Sequence, residues 1–264
     1  MNPSLRSFGW SDVARLGVVQ ACLGAMVVLA TSTLNRIMVV ELALPALVPG
    51  LLVGFHYAIQ LVRPRMGFGA DRGRRCTPWM VGGVITLAFG GNLASWGTIQ
   101  MGQDHGTGLA ICLVAFGCIG LGVSATGTSL LALMSKRVPE SMRAPAATTV
   151  WVMMIMGFAL TAVTVGKLID PYTPERLMQV TAGLGLSIVV LTLLSLWGLE
   201  SSTQAAAPTE ERERMRSMHD FKQALAVVWR DHKRDCSPGL CFCRCWPTAR
   251  KIWCWNRLRV PSLA

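Results

Sequence analysis

The sequence predicts an all-α membrane protein of six transmembrane helices, and three observations carry that prediction. Of 264 residues, 52% are hydrophobic and only 15% charged, whereas an ordinary soluble domain is about one quarter charged. The apolar residues gather in runs near the ~20 residues with which a helix crosses a hydrocarbon core of about 30 Å while bonding its own backbone. The basic residues are mostly confined to short connectors between those runs. A formal charge of +11 therefore reflects membrane topology rather than a nucleic-acid partner.

Taken in order, the predicted spans are Leu16–Thr33, Leu44–Val62, Trp79–Trp96, Gly108–Met134, Thr148–Lys167 and Met178–Trp197. The polar leader holds Arg6 and Arg15 and lacks the short apolar core and small-residue site of a cleavable signal. The connector after span two holds Arg63, Arg65, Arg72, Arg74 and Arg75, and the one after span four holds Lys136, Arg137 and Arg143. Alternate connectors are poorer: Arg36 in the first, no Lys or Arg in "GTIQMGQDHG", and Lys167 with Arg176 in the third. Both ends of the six-span unit are thus expected in the cytoplasm. Glycine-rich runs such as "GGVITLAFGG" and "GCIGLGVSATG" read as close helix packing through small residues, with sliding helices as the functional alternative. Cys22, Cys112 and Cys118 sit singly within spans and read as small core residues.

Polar side chains at membrane depth are the candidate functional residues. Gln20, His56, Gln60 and Asn92 lie within spans one to three, and Asn35, Arg36 and Glu41 flank "IMVV" near the outer end of span one. Arg36 and Glu41 are placed to pair at the interface. His56 and Gln60, four residues apart, share a helix face. A neutral imidazole can hold a metal, including the magnesium of a chlorin, through one ring nitrogen, or simply bond a neighbouring helix. In "RPRMGFGADRGRRCTP", Gly67 and Gly69 allow a tight turn and Asp71 sits among arginines. The segment is either a positive-inside loop or a charge latch at a cytoplasmic mouth. It resembles the Gly-x-x-x-Asp-Arg-x-Gly-Arg-Arg pattern of major facilitator transporters. Gly67, Asp71, Arg72, Gly73, Arg74 and Arg75 match, with one residue missing between Arg72 and Gly73.

Longer blocks, Ser11–Gly83 with "TSTLNRIMVVEL" and Ala146–Leu177 with "WVMMIMG", resemble the PucC-type bacteriochlorophyll-delivery family of phototrophic bacteria. That resemblance, covering residues 11 to about 230, implies one half of a major-facilitator-type bundle in the bacterial inner (intracytoplasmic) membrane. It also implies bacteriochlorophyll as a non-covalent ligand and light-harvesting antenna polypeptides as partners. Asn35, Arg36, Glu41, His56 and Gln60 are the candidate pigment contacts, and Gly67 with Asp71–Arg75 the candidate gate loop. The family has two six-span halves around a central cavity. This chain is expected to hold one, residues 1–199, completed by a second half-bundle or by another copy of itself, or else inactive. No nucleophile–base pair, metal cluster or phosphate loop points to an enzyme. The competing reading is a secondary transporter of a small solute, which would be expected to need intramembrane carboxylates or bases.

Residues 200–235 read as a charged cytoplasmic linker with an amphipathic turn at "FKQALAVVW". Residues 236–264 hold five of the nine cysteines, Cys236, Cys241, Cys243, Cys245 and Cys254. Their spacing fits neither a zinc site nor a Cys-x-x-Cys redox pair. Codons for Cys and Trp begin with TG, the ending of many Leu, Met and Val codons. Shifted by one base, Cys245–Arg257 permits Leu-Ala-Tyr-Ser-Ala-Gln-Asp-(Met or Leu)-Val-Leu-Glu-Pro, similar to the start of the family's seventh helix. The tail is therefore expected to be an out-of-frame, disordered product with no metal.

Overall fold

In the computed structural model the described backbone covers residues 8–72 and 75–199, and the described side chains are the same less 68–72. The expectations for residues 200–235 and 236–264 lie outside these residues. Every regular element among them is helical. Helix α1 (Trp10–Val28) continues through a π-helical segment Leu29–Thr33, the single turn α2 (Leu34–Arg36) and a second π segment Ile37–Glu41. It is followed by α3 (Leu47–Ile59), a 3-10 turn Gln60–Val62 and α4 (Arg63–Arg72). Then come α5 (Thr77–Met101), α6 (His105–Arg137), α7 (Glu140–Ile169) and α8 (Pro174–Leu196).

Among the described residues, four helices are long and apolar enough to cross a membrane: Trp10–Glu41, His105–Arg137, Glu140–Ile169 and Pro174–Leu196. The six expected spans thus meet four that satisfy both measures. In the second, the helix starts only at Leu47, and the 3-10 turn at Gln60 divides α3 from the basic α4. Its 13 residues rise only ~20 Å. The third, α5, has 25 residues and rises ~37 Å, but glycine, threonine and asparagine dilute its apolar character. The tight turn expected at Gly67 is instead helix. Gly67 lies within α4 where a Cβ would stand 2.9 Å from the Thr128 methyl of α6.

The core is organised by the antiparallel α5–α6 pair, joined by only Gly102, Gln103 and Asp104. Gly83, Gly90 and Gly97 recur every seven residues along α5, and Gly108, Ala115 and Gly122 do so along α6. A Cβ on Gly122 would lie 2.6 Å from the Gly83 carbonyl oxygen, one on Gly90 3.0 Å from that of Ala115, and one on Gly108 2.4 Å from the Met101 amide. The two backbones touch along the seam, as small residues allow in membrane bundles. A similar approach joins α1 to α7, where a Cβ on Gly157 would sit 2.6 Å from the Ala21 carbonyl oxygen.

Asp104 starts α6 by accepting from the Gly106 and Thr107 amides, and Thr173 starts α8 by accepting from the Arg176 amide. The Thr107 hydroxyl and then those two amides hold the Asp104 carboxyl below its ordinary range. The basic connectors also close helix ends. Arg15 donates to the Leu194 and Trp197 carbonyls at the end of α8, and Arg143 to those of Ser135 and Val138 at the end of α6. Cations there satisfy terminal carbonyls and oppose the negative end of the helix dipole. The arginines that mark topology are therefore also clamps.

Glycines on and off the seam give a test of it. Gly122→Val is expected to destabilise the chain by about 1–3 kcal/mol through overpacking. Gly82→Ala, where nothing lies within 4 Å of the added carbon, is expected to be neutral or stabilising by up to ~1 kcal/mol. Unfolding in mild detergent, followed by circular dichroism, measures both; equal effects would remove the seam's special role.

Candidate functional site

His56 is 1% exposed. It lies on α3 where that helix meets α6, its own carbonyl oxygen 2.9 Å from where a Gly120 Cβ would stand. The Gln60 side-chain amide, one turn on, bonds the ring at 2.7 Å between the two Nε2 atoms. An amide nitrogen only donates, so His56 Nε2 accepts and its proton resides on Nδ1. Nδ1 is buried with no hydrogen-bond partner. The carbonyl of the Gln60 side chain in turn accepts from Arg63. The helix spacing that pairs His56 with Gln60 thus extends into a chain, His56–Gln60–Arg63, leading out towards the basic connector. In this conformation neither imidazole nitrogen is open to a macrocycle. Axial ligation of a chlorin by His56 would require Gln60 to let go and α3 to part from α6.

The other candidates stand elsewhere. Asn35 is half-buried and Arg36 exposed, both on the single α-turn between the two π segments, and exposed Glu41 closes the second. No ion pair joins Arg36 to Glu41 among the described residues, contrary to the pairing expected. Both are solvated, where such a pair gains little. Glu41 instead influences Tyr172 in the α7–α8 connector. Burial first, then the Glu41 and Glu175 carboxylates, push that phenol's pKa up. Of the gate loop, Gly67 packs on α6 and Arg75 is exposed. The side chains of Asp71, Arg72, Gly73 and Arg74 lie outside the described set. The fold thus brings His56 and Gln60 together, while Asn35, Arg36 and Glu41 lie on another element, the continuation of α1.

Sequence reasoning missed the two π segments, which are frequent at functional positions in helices. They fall on "LATST" and "IMVVE", within or beside the string that carried the resemblance. The available signal was the hydroxyl run: Thr31 Oγ1 donates to the Val27 carbonyl at 2.8 Å, and such back-bonding competes with the helix ladder. At the far end the Leu42 amide bonds the Ile37 carbonyl, and Ala43 turns the chain at a φ of 50°, a region that disfavours any residue with a Cβ.

The remaining buried polar side chains are largely bonded within the bundle. Ser95 and Thr181 join α5 to α8 at 2.8 Å, Thr98 and Ser124 bond carbonyls of their own helices, and Thr126 bonds the Met80 carbonyl. Cys22 and Cys112 are buried thiols, while Cys118 is half-buried. Among the described residues no three His, Cys, Asp or Glu side chains cluster to hold a metal ion. A groove of about 410 Å³ opens on the surface between α4, α5 and α6, lined by Met66, Trp79, Gly82, Thr86, Leu121 and Ala125 among others.

Comparison with known proteins gives one family and several relatives. The family model described as PUCC protein matches residues 33–233. The bacteriochlorophyll synthase 44.5 kDa chain of Rhodobacter capsulatus is 46% identical over 223 residues, 84% of this chain and 51% of that protein. Protein PucC of Rhodobacter capsulatus is 30% identical over 237 residues, 83% of this chain and 49% of its own length. Protein PucC of Cereibacter sphaeroides is 28% identical over 211 residues, 75% and 46%. The chain thus spans about half the length of these relatives. No solved structure matches it.

The His56–Gln60 bond predicts a specific cost. His56→Ala removes a buried ring and strands the Gln60 amide, and is expected to destabilise by about 2–4 kcal/mol. The double variant His56→Ala/Gln60→Leu is expected to recover part of that loss. Additive losses in detergent unfolding would show that the two side chains are not coupled.

Proposed function

The chain belongs to the PUCC protein family, and on that premise we propose that it is a membrane assembly factor that binds bacteriochlorophyll and delivers it to light-harvesting antenna polypeptides. It is a multi-pass membrane protein, by its apolar helices and by its family. The observation that carries the reading is the 46% identity, across 84% of the chain, to a protein named as a bacteriochlorophyll synthase chain. Two further relatives are named PucC rather than for an enzyme, and the reading here is non-enzymatic. Because the chain spans about half of each relative, the reading concerns what one half contributes.

The bundle's chemistry supports a large apolar cargo with few polar anchors. A secondary transporter of a small solute needs titratable groups at membrane depth for ion coupling. From α3 to α8 no described carboxylate is buried, and the one buried imidazole is bonded to Gln60. In this reading residues 1–199 form six spans of a major-facilitator-type half in the inner membrane with both ends cytoplasmic. Residues 200–235 are its linker and 236–264 an out-of-frame tail. The family match, which ends at residue 233, is consistent with that last assignment.

Two measurements test the proposal. Protein purified in mild detergent from a pigment-making host is expected to carry a chlorin absorbance band, and deleting its gene to lower antenna-complex absorbance in membranes. Colourless protein together with unchanged antenna absorbance would overturn it. For the tail, re-sequencing is expected to find the second half-bundle encoded in a neighbouring frame downstream of Arg230; its absence there would refute the frame reading.

A further inference from the structure

The groove between α4, α5 and α6 is unexplained by the pigment reading and does not depend on it. Its wall is apolar. Trp79 and Leu121 are each more than a third exposed along it, and nothing stands within 4 Å of where a Gly82 Cβ would be. Thr86 carries the one side-chain hydroxyl in the lining, and that hydroxyl donates to the Gly82 carbonyl at 2.8 Å. The wall therefore offers shape without a strong polar anchor.

Depth and charge identify what fits. Along α5 the lining runs from Pro78 to Thr86, a rise of ~12 Å. That is close to one leaflet's share, ~15 Å, of the hydrocarbon core. In sequence the lining residues flank the basic connector. Arg65 immediately precedes the lining Met66, and Arg75 lies three residues before the lining Pro78. Both are exposed, and neither has an ion pair with a described residue. In sequence, the connector carries Arg63, Arg65, Arg72, Arg74 and Arg75 and a single acidic residue, Asp71. An occupant with one apolar chain about a leaflet deep and a negative head at the rim satisfies both features. Basic clusters at the membrane edge attract such heads.

We propose that this groove is a binding site for an anionic phospholipid. One acyl chain lies against Trp79, Gly82 and Leu121, and the phosphate head is held by Arg65 and Arg75. The lipid would pack α4 against the α5–α6 seam and so fix the basic connector relative to the bundle.

The test is native mass spectrometry of the full chain, extracted in mild detergent from membranes containing phosphatidylethanolamine, phosphatidylglycerol and cardiolipin. Wild-type protein is expected to retain one anionic phospholipid through a delipidating wash. Gly82→Leu, which fills the groove from an open position, should lower retention about tenfold, and Thr86→Leu serves as a second filling variant. Arg65→Gln and Arg75→Gln should each reduce the preference for anionic over zwitterionic lipid about fivefold. Circular dichroism and size-exclusion chromatography confirm that each variant is folded. Equal retention in both filling variants, retention of zwitterionic lipid alone, or an isoprenoid pigment in place of the lipid would each overturn the assignment. Loss of pigment binding with the lipid retained would sink the proposed function and leave this inference standing.

Discussion

Contact between the α5 and α6 backbones is the constraint on which the other helix positions depend. In antiparallel register Gly83 meets Gly122 and Gly90 meets Ala115, while Gly97 meets Cys112 and Gly108 meets Met101, with a turn of three residues fixing the pairing. Without a strong hydrophobic drive between helices in lipid, close van der Waals approach supplies the attraction. A seam without Cβ atoms brings the helices closer than leucine-lined packing allows. The pair then acts as a template. Helix α6 receives α3 at Gly120 and α4 at Thr128, while α5 receives α1 at Gly91, against Met26, and α8 through the Ser95–Thr181 bond.

Against that template α1 is the irregular member. Two π segments and a left-handed Ala43 interrupt its C-terminal continuation, and the same region holds Asn35, Arg36 and Glu41. Wider turns alter which side chains face the bundle, so this stretch presents polar groups on a helix that is otherwise buried. The N-terminal end of α1 is held differently, by Arg15 at the last carbonyls of α8. One end is clamped by a cation and the other loosened by hydroxyls. The irregular end coincides with the string that most distinguishes the family.

The polar interior favours holding a shape over moving ions. Most buried hydroxyls bond carbonyls or each other, those of Ser129 and Thr192 being without a hydrogen-bond partner, and His56 is drawn into a chain with Gln60 and Arg63. Such a bundle suits a cargo recognised by apolar contact, and it leaves the basic connector as the place where charge is available. The lipid groove and the His56 chain both run towards that connector, from opposite sides of α4 in sequence. The connector is therefore where bundle packing and membrane electrostatics meet.

Hydropathy and charge by themselves determined that this is a helical membrane protein, where its apolar runs fall and which connectors are basic, because bilayer thickness and backbone satisfaction act on any chain locally. Spacing alone also paired His56 with Gln60 and suggested that glycine runs mark close packing. It did not reveal that Gly83 meets Gly122 while Gly82 meets nothing, since neighbours in sequence point about 100° apart on a helix whose rotation is set by its partners. Nor did it reveal that the His56 ring is sealed by α6, that Arg15 closes α8 across 179 and 182 residues of chain, or that the run Leu44–Val62 breaks at Gln60. Those outcomes depend on which backbones can approach through space, and only the packed bundle decides that.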